Sequence, residues 1–496
     1  MKKYFLAVAS FFIYSHISLG QVYPGQMDST FVPVRSHHYD PELTFDFCVN
    51  EPAWSNQAGI HSAFGSTDRL YFRKEVPVNH DNDLSSSYST TVWRGERANA
   101  QILVWSSEAL EQVRVSTQDL RSAEGNIIPK DRITFELVRY VLSNYPYAEK
   151  KAICGESPYK SGFLMPDRFE TLDRFDLPSQ TTRPVWMMVD VPRGTAPGTY
   201  KGQVEVRAKG KAPQLLNLEI VVQNQLLPYP KDWKYRLDLW QNPWAVAWYN
   251  HVEPWSPEHK MLLKQHLKHY ADAGGTYITT YGVHSPWSDN SYMIEGGMIE
   301  WIKKADGTWA FDYKIFDEYV ELAMECGIDE AITLYTPIPW GFRHRYKDEA
   351  TGDYSYINWT PSSKEFKKMW NIFLTDFKFH LEAKSWLDIT YIGINENPME
   401  ETLAAINVVR NHDKCWKITY AGNWHKELDG LLDDYSFLYG EEPTIAEQKA
   451  RAATGRTSTV YVCCNPPIPN NFVFGNILLK LCGVVLSGEA IRVVSV

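Results

Sequence analysis

From Trp233 onward, the sequence alternates between short apolar runs rich in β-branched residues and longer amphipathic helical patterns. The clearest run lies in residues 388–398, where DITYIG leads into the polar pair Asn395 and Glu396, and a helical pattern follows at once. An alternation of this kind predicts strand–helix units around a parallel sheet. Seven such units can be read, so we predict a multidomain α/β protein with a (β/α)8-type TIM barrel whose last unit is incomplete.

The predicted barrel elements follow one another with short connections. The strands are residues 235–240, 277–283, 331–336, 389–392, 416–421, 435–439 and 458–463. The helices are residues 257–273, 314–326, 363–384, 399–411, 425–432 and 444–453. Ser256 supplies an N-cap and Pro257 a first helical residue for the first of them. A hairpin over residues 298–311, with its turn at Asp306 and Gly307, interrupts the series.

The residues before the barrel have the pattern of a β-sandwich. Several short β-patterned runs follow one another without helices: 70–76, 91–105, 112–115, 133–141, 185–191, 198–208 and 216–222. Residues 150–178 are rich in Pro, Ser and Asp and are predicted to be irregular, and residues 226–230 form the candidate linker. The predicted domains are therefore a sandwich over 21–230, a barrel over 231–474 and an atypical tail over 475–496.

Residues 1–20 have the features of a secretory signal peptide. Lys2 and Lys3 precede an apolar stretch over 4–14, and small residues, Ser18 and Gly20, stand before Gln21. This pattern predicts a periplasmic or extracellular protein. No other apolar run reaches the roughly 18 residues that a membrane span needs, so we predict no membrane insertion.

Composition limits the classes of partner. A net charge of −10 argues against a nucleic-acid binder. The aromatic excess of 18 Trp, 29 Tyr and 22 Phe fits either a Trp-rich core or a surface that stacks on sugar rings. The seven Cys show no metal-binding spacing, so we predict neither a metal nor a cofactor.

In a barrel, the carboxyl ends of all strands meet at one mouth. The predicted strand ends there carry an aromatic set with the polar pair at its centre. The candidate sugar contacts are Trp240, Tyr281, Tyr335, Trp340, Trp424 and Tyr439. Glu396 is the candidate acid/base, because a carboxylic acid between aromatic rings suits the protonation of a glycosidic oxygen.

The mechanism depends on whether a second carboxylate is present. An Asn-Glu pair at the end of the fourth strand also resembles the pattern of a large clan of retaining glycosidases, in which a second Glu at the end of the seventh strand is the nucleophile. Here the seventh predicted strand, 458–463, ends in Cys463, Cys464 and Asn465 without an acid, which argues against a direct double displacement. The remaining route is substrate-assisted, with the 2-acetamido group of an N-acetylhexosamine as the nucleophile. Two alternatives stay open: a two-carboxylate glycosidase that uses Glu441 or Glu442, and a non-catalytic glycan-binding protein or decayed pseudoenzyme.

Several long phrases resemble glycoside hydrolase family 123, the β-N-acetylgalactosaminidase-like family, and its relatives. They are LDLWQNPW (237–244), WSPEHKMLLKQHL (255–267), DGTWAFDYKIFDEYVELAMECGI (306–328), WLDITYIGINENPME (386–400), KITYAGNWHKEL (417–428) and YVCCNPPIPNNF (461–472). The resemblance implies a β-sandwich followed by a barrel, and β-N-acetylhexosamine, N-acetylgalactosamine in particular, as the substrate.

The resemblance also implies an Asp–Glu pair in which the Asp stabilises the oxazolinium intermediate and the Glu is the acid/base. Glu396 matches the second position, whereas Asn395 replaces the Asp and is expected to orient the acetamido group without neutralising its charge. Relatives continue past 472 with a Trp-containing strand and a small β-domain, which residues 475–496 do not resemble. We therefore expect that a frameshift or premature end has removed the eighth barrel strand and the C-terminal domain.

Overall fold

The computed structural model describes residues 27–28, 42–43, 51–77, 84–143, 163–234, 236–287 and 296–461. The predicted signal peptide and the predicted tail lie outside these residues. The chain divides into two compact units, with the boundary between Pro228 and Tyr229. No helix of the described part of the chain is both long and apolar enough to cross a membrane.

The N-terminal unit is β-rich, as predicted: its described part contains two large β-sheets and a short two-stranded one, Met27–Asp28 with Glu42–Leu43. The first sheet is antiparallel, in the order Phe163–Glu170, Ile133–Ser143, Thr181–Asp190, Arg97–Ser106 and His61–Gly65. The main path of the second is Phe175–Leu177, Leu110–Thr117, Gly198–Arg207, Gln214–Leu226 and Ser87–Arg94, and its last pair is parallel. Both sheets contribute fully buried side chains to one core, among them Ile102 and Val204.

Three predictions for this unit were wrong. The run 91–105 is two strands, because Gly95 adopts a φ of +85° and the backbone N–H of Trp93 is bound by the Glu96 carboxylate at 2.7 Å, which closes a tight turn. Residues 70–76 form no strand, because this segment packs through the buried ring of Tyr71. The segment predicted to be irregular, 150–178, contains the strands Phe163–Glu170 and Phe175–Leu177.

The C-terminal unit is built on six parallel strands that pair in the order in which they occur along the chain. They are β1 Tyr277–Tyr281, β2 Ala331–Tyr335, β3 Thr390–Ile394, β4 Lys417–Gly422, β5 Asp434–Leu438 and β6 Thr457–Tyr461. The predicted strand 235–240 is reduced, in its described part, to one parallel bridge between Leu237 and Gly275. The predicted parallel sheet is therefore present, while its closure into a barrel stays a prediction.

Helices connect the parallel strands, as predicted. They are α1 Pro243–Tyr249, α2 Pro257–Asp272, α3 Lys314–Glu325, α4 Lys364–Lys384, α5 Met399–His412, α6 Lys426–Asp429 and α7 Ile445–Ala453. The hydroxyl of Ser256 accepts the N–H of His259 and caps α2, as its position before Pro257 predicted. The helix α6 is shorter than the predicted 425–432, because Gly430 ends it.

A four-stranded sheet branches from the parallel sheet. Its order is Trp309–Asp312, Glu300–Lys303, Arg343–Asp348 and Tyr354–Asn358. The first two strands are the predicted hairpin, which is confirmed. The second hairpin was not predicted, although Gly352 with a φ of +79° marks its turn.

Much of the aromatic excess fills the core of this unit. On α4, Phe373 stacks on Phe377 with ring centroids 5.3 Å apart, and Phe377 stacks on Trp416. Trp301 covers the other side of Phe373 at 4.8 Å. These rings are fully or nearly fully buried, so the aromatic composition reports a packed interior as well as any sugar-binding surface.

Candidate active site

The candidate site lies at the carboxyl end of β3, which is flanked by β2 and β4. Ile392 and Ile394 are buried along this strand. Gly393 lies between them, and a Cβ at this position would approach the ring of Tyr335 to 2.9 Å. The glycine therefore lets the Tyr335 ring lie against β3, and the strand delivers Asn395 and Glu396 directly after it.

Asn395 is buried, with 3% of its surface exposed. Its Nδ2 donates a hydrogen bond of 3.3 Å to the carbonyl oxygen of Pro286. The same carbonyl accepts the backbone N–H of Trp340 at 2.9 Å. The Oδ1 of Asn395 has no hydrogen-bond partner among the described residues, which leaves a buried acceptor at the end of the strand.

The side chain of Glu396 is open to solvent. Its Oε1 accepts a hydrogen bond of 3.0 Å from the hydroxyl of Tyr461, which is itself buried at the end of β6. Desolvation by the surrounding protein raises the pKa of Glu396, and the hydrogen bond from Tyr461 opposes that rise by less. The Glu396 carboxyl group therefore contacts solvent while the surrounding protein removes part of its hydration, and a carboxyl group with a raised pKa is suited to general-acid catalysis.

Two further tyrosines lie within electrostatic reach of Glu396. Burial raises the pKa of Tyr420 above its usual value, and the negative charge of Glu396 adds to the rise. The hydroxyl of Tyr435 donates to the carbonyl of Asn423 at 2.5 Å and accepts the N–H of His425 at 2.9 Å. Burial raises the pKa of Tyr435, and the charge of Glu396 adds to the rise. The two hydrogen bonds of its hydroxyl fix the loop that follows β4.

That loop carries Trp424, one of the predicted sugar contacts. Its ring is half-buried and packs on Tyr435 at 5.5 Å and edge-on against Phe437 at 5.6 Å. Tyr439 is also half-buried and follows β5. Both side chains keep part of their surface open at the same end of the sheet as Glu396.

Three of the other predicted sugar contacts, Trp240, Tyr281 and Tyr335, form a packed aromatic cluster with Trp287. Trp240 stacks on Trp287 at 5.2 Å, and both contact the ring of Tyr335, at 4.9 and 5.0 Å. Tyr335 is 3% exposed and Tyr281 is 1% exposed, with the Tyr281 hydroxyl bound to the carbonyl of Gln241. These two tyrosines support the wall of the site, whereas Trp240 and Trp340 remain half-buried.

Sequence reasoning missed Tyr461. The strand was predicted to end at Cys463, so only Cys463 and the residues after it were considered as site residues. The described strand ends at Tyr461. One signal could have identified it: Tyr461 carries a hydroxyl in the last apolar run of the predicted parallel strands, and an acid, Glu396, follows an earlier strand of the same set. No group of three or more potential metal-ligating side chains lies together among the described residues.

Comparison with known proteins identifies the family. The catalytic-domain model of glycoside hydrolase family 123 matches residues 240–485, and the N-terminal-domain model of the same family matches residues 64–208. A family 123 glycoside hydrolase from Clostridium perfringens, studied for glycolipid glycan hydrolysis, superposes with a TM-score of 0.74 at 26% identity, over 84% of this chain and 74% of that chain.

More distant matches add nothing to this assignment. A family 39 glycoside hydrolase from Bacteroides cellulosilyticus WH2 matches with a TM-score of only 0.30 at 12% identity, over 75% of this chain and 71% of that chain. No curated protein matches the sequence. The two family models and the solved relative agree with each other, and we conclude that the chain belongs to glycoside hydrolase family 123 and is a glycosidase.

Proposed function

We propose that this glycosidase cleaves β-linked N-acetylhexosamine, N-acetylgalactosamine in particular, from glycans by substrate-assisted catalysis with retention of configuration. The family assignment supports the reaction class. The solved relative's action on glycolipid glycans supports glycolipids as one source of substrate.

The observation that carries the proposal is the adjacent pair at the end of β3. Glu396 is a carboxyl group with a raised pKa, so it holds its proton to a higher pH than an ordinary glutamate. Beside it, Asn395 presents a buried Oδ1 without a hydrogen-bond partner among the described residues. An acetamido N–H is a donor of the kind that this oxygen lacks.

The first step uses Glu396 as the acid. Its carboxylic proton passes to the glycosidic oxygen while the acetamido carbonyl oxygen attacks the anomeric carbon, which gives an oxazolinium ion, the free leaving alcohol and a Glu396 carboxylate. Asn395 Oδ1 accepts the acetamido N–H and turns the carbonyl toward the anomeric carbon. In the second step a water attacks the anomeric carbon and gives a proton to the Glu396 carboxylate, while the bond between the anomeric carbon and the acetamido oxygen breaks. The acetamido group is restored and the sugar is released with its configuration retained.

The amide at position 395 has a chemical consequence. A carboxylate there would carry a full negative charge beside the positive oxazolinium, whereas the amide offers only a carbonyl dipole. Charge stabilisation in a water-poor site contributes several kcal/mol to catalysis. We therefore assign Asn395 an orienting role and expect a slower first step than a carboxylate would give.

The sugar is held by the half-buried rings at the mouth, for which we propose Trp240, Trp340, Trp424 and Tyr439. Tyr281 and Tyr335 lie behind them and keep the rings in place. Sugar rings present apolar C–H faces, and partly exposed Trp and Tyr rings can cover those faces without losing their own packing.

Two further parts of the proposal concern the whole chain. We propose that the parallel sheet belongs to a (β/α)8 barrel, which the consecutive order of its strands supports. We also propose export to the periplasm or the cell exterior through residues 1–20. N-terminal sequencing of the protein recovered from a secreting host would give Gln21 as the first residue, and retention of Met1 would reject the export proposal.

The test of function is turnover of aryl β-glycosides with and without the 2-acetamido group. Wild type is expected to release the aryl alcohol from the N-acetylgalactosaminide and not from the galactoside. Glu396→Gln is expected to lose about 10²- to 10⁴-fold in kcat/KM, while Glu441→Gln and Glu442→Gln retain activity. Activity on the galactoside that depends on Glu441 or Glu442 would instead establish the two-carboxylate mechanism.

A further inference from the structure

The unpredicted hairpin, Arg343–Asp348 with Tyr354–Asn358, presents an unusual face to solvent. Its register pairs Arg345 with Tyr356 and Lys347 with Tyr354, which places cationic and aromatic side chains on one face. Tyr354 and Tyr356 are 50% and 49% exposed. On the opposite face, His344 is buried against Trp370 and Trp359, so the cationic and aromatic side chains lie on the face that points away from this core.

Each arginine on this face is stacked on a tyrosine. The guanidinium carbon of Arg343 lies 3.9 Å from the ring centroid of Tyr356, and that of Arg345 lies 4.2 Å from the centroid of Tyr354. Stacking of this kind fixes the plane of the guanidinium and leaves its N–H groups pointing outward along its edge.

The two arginines differ in their charge balance. Arg345 lies 4.0 Å from the carboxylate of Glu300, which also accepts the hydroxyl of Tyr354 at 2.9 Å. Arg343 forms no ion pair with any described residue, and its side chain is exposed. In a protein with a net charge of −10, an exposed, pre-oriented guanidinium without a carboxylate partner is a site for an anion.

This hairpin is attached to the candidate active site. The hairpin follows the carboxyl end of β2. In the turn that leads into it, the Trp340 N–H donates to the carbonyl oxygen of Pro286, and the same oxygen accepts a hydrogen bond from Asn395 Nδ2. His284, two residues before Pro286, also lies near the arginines of this hairpin. Burial lowers the pKa of His284 to about 4, and the positive charges of Arg345 and Arg343 contribute to that lowering.

We propose that Arg343, held in place by Tyr356, binds an anionic group on a sugar adjacent to the one that is cleaved, so that the enzyme prefers acidic glycans. This inference rests on the proposed function for the site, and it specifies the substrate class. The anion is either a carboxylate, as in an acidic sugar, or a sulfate ester, since both match the two-pronged donor edge of a guanidinium. Nothing in the bond-breaking step changes, because the contact is made only in binding.

The test uses three oligosaccharides that share a terminal β-N-acetylgalactosamine. In the first, the second sugar carries a carboxylate, in the second it carries a sulfate ester, and the third is the neutral parent. Their dissociation constants are measured by calorimetry with Glu396→Gln, which cannot turn them over in our proposal. We expect at least one acidic glycan to bind about tenfold more tightly than the neutral one, which is the ratio for one charge-assisted contact.

Variants of Arg343 identify the residue. In the Glu396→Gln background, Arg343→Gln is expected to remove the preference and leave neutral-glycan binding within twofold, and Arg343→Lys is expected to restore only part of it, because a lysine lacks the planar fork. Lys347→Gln is the matched control, since it removes one positive charge from the same face and strand. An equal loss with Lys347→Gln would reduce the effect to general electrostatics and reject the assigned contact.

The outcomes separate the proposals. Tighter binding of the carboxylate glycan alone identifies an acidic sugar, and tighter binding of the sulfated glycan alone identifies a sulfate ester. Equal binding of all three rejects the inference even if turnover of the aryl N-acetylgalactosaminide establishes the proposed function. If the preference for acidic glycans depends on Arg343 but wild type does not turn over the aryl substrate, the anion site is supported and the proposed chemistry is rejected.

Discussion

The hydroxyl of Tyr461 donates a hydrogen bond of 3.0 Å to Oε1 of Glu396, a residue 65 positions away. Tyr461 ends β6 and Glu396 follows β3, so β4 and β5 lie between them in the sheet. Strands three positions apart in a flat sheet would be about 14 Å from each other. The Tyr461 and Glu396 side chains bridge this separation across β4 and β5, so the contact ties the end of β6 to the acidity of the carboxyl group that follows β3.

Tyr461→Phe is expected to raise the pKa of Glu396 further. The hydrogen bond favours the charged carboxylate, so its removal leaves desolvation unopposed. As the acid of the first step, Glu396 must be protonated, and kcat/KM falls as the pH rises through its pKa. The basic limb of the kcat/KM profile is therefore expected to move to higher pH in the variant.

The control for this change is Tyr88→Phe, which removes a tyrosine hydroxyl bound to the carbonyl of Asn99 in the N-terminal unit. Its pH profile is expected to match that of wild type. A basic limb that stays in place in Tyr461→Phe, or that moves to lower pH, would contradict the role of the hydrogen bond.

Asn395→Asp is expected to increase turnover of the aryl N-acetylgalactosaminide by about tenfold or more, because a carboxylate adds a full charge beside the oxazolinium. The effect should be on kcat, with no gain on the substrate without the acetamido group. Asn423→Asp is the matched control, since it adds a carboxylate on the exposed loop after β4. No gain in Asn395→Asp would mean that the amide already meets the needs of the reaction.

Local signals in the sequence were sufficient for most helices. Ser256 and Ser363 each accept the N–H three residues ahead, at the starts of α2 and α4, and Gly274 follows the end of α2 with a φ of +89°. These caps act within one turn of the chain, so the residues alone specify them. The run that became β3 was equally clear, because its β-branched residues, Thr390, Ile392 and Ile394, are typical of a strand and are all buried.

The missed features depend on contacts between distant segments. The Pro286 carbonyl that holds Asn395 is 109 residues away in sequence, and Tyr461 is 65 residues away from Glu396. The predicted sugar contacts divided for the same reason: whether a tyrosine such as Tyr281 is a surface ring or a core ring depends on what packs over it. In the N-terminal unit, Tyr71 looked like part of a strand, because an apolar segment that packs by side chains has the same composition as one that pairs by its backbone.

Gly393→Ala is expected to destabilise the C-terminal unit and to weaken sugar binding. The added Cβ would lie 2.9 Å from the ring of Tyr335, which packs against Trp240 and Trp287 and cannot move freely. Overpacking of this kind costs about 1–3 kcal/mol. Chemical denaturation is expected to show that loss, and KM is expected to rise because Trp240 shifts with Tyr335.

The matched control is Gly194→Ala, whose added Cβ meets no atom within 4 Å. This change is expected to leave both the unfolding free energy and KM within error of wild type. An unchanged stability in Gly393→Ala would show that the aromatic cluster can shift at little cost, and the supporting role of Tyr335 would then be wrong.

Asp434, at the start of β5, makes the stability of the protein depend on pH. It is fully buried, and desolvation raises the pKa of Asp434 to about 7, against the opposing charges of Arg236 and Arg451. The unfolded chain loses this proton near pH 3.9, whereas the folded chain holds it to about pH 7. Between these values the folded state binds the extra proton, so this group's contribution to stability falls as the pH rises from about 4 to about 7 and is level above that.

Asp434→Asn removes the titration and is expected to flatten this part of the profile. The variant should gain stability relative to wild type as the pH rises from 4 to 8, as measured by urea denaturation at each pH. Asp353→Asn, at an exposed position in the same unit, is the control and is expected to leave the slope unchanged. If wild type and Asp434→Asn lose stability in parallel over this range, the buried carboxyl is charged throughout, and its neighbouring arginines outweigh its desolvation.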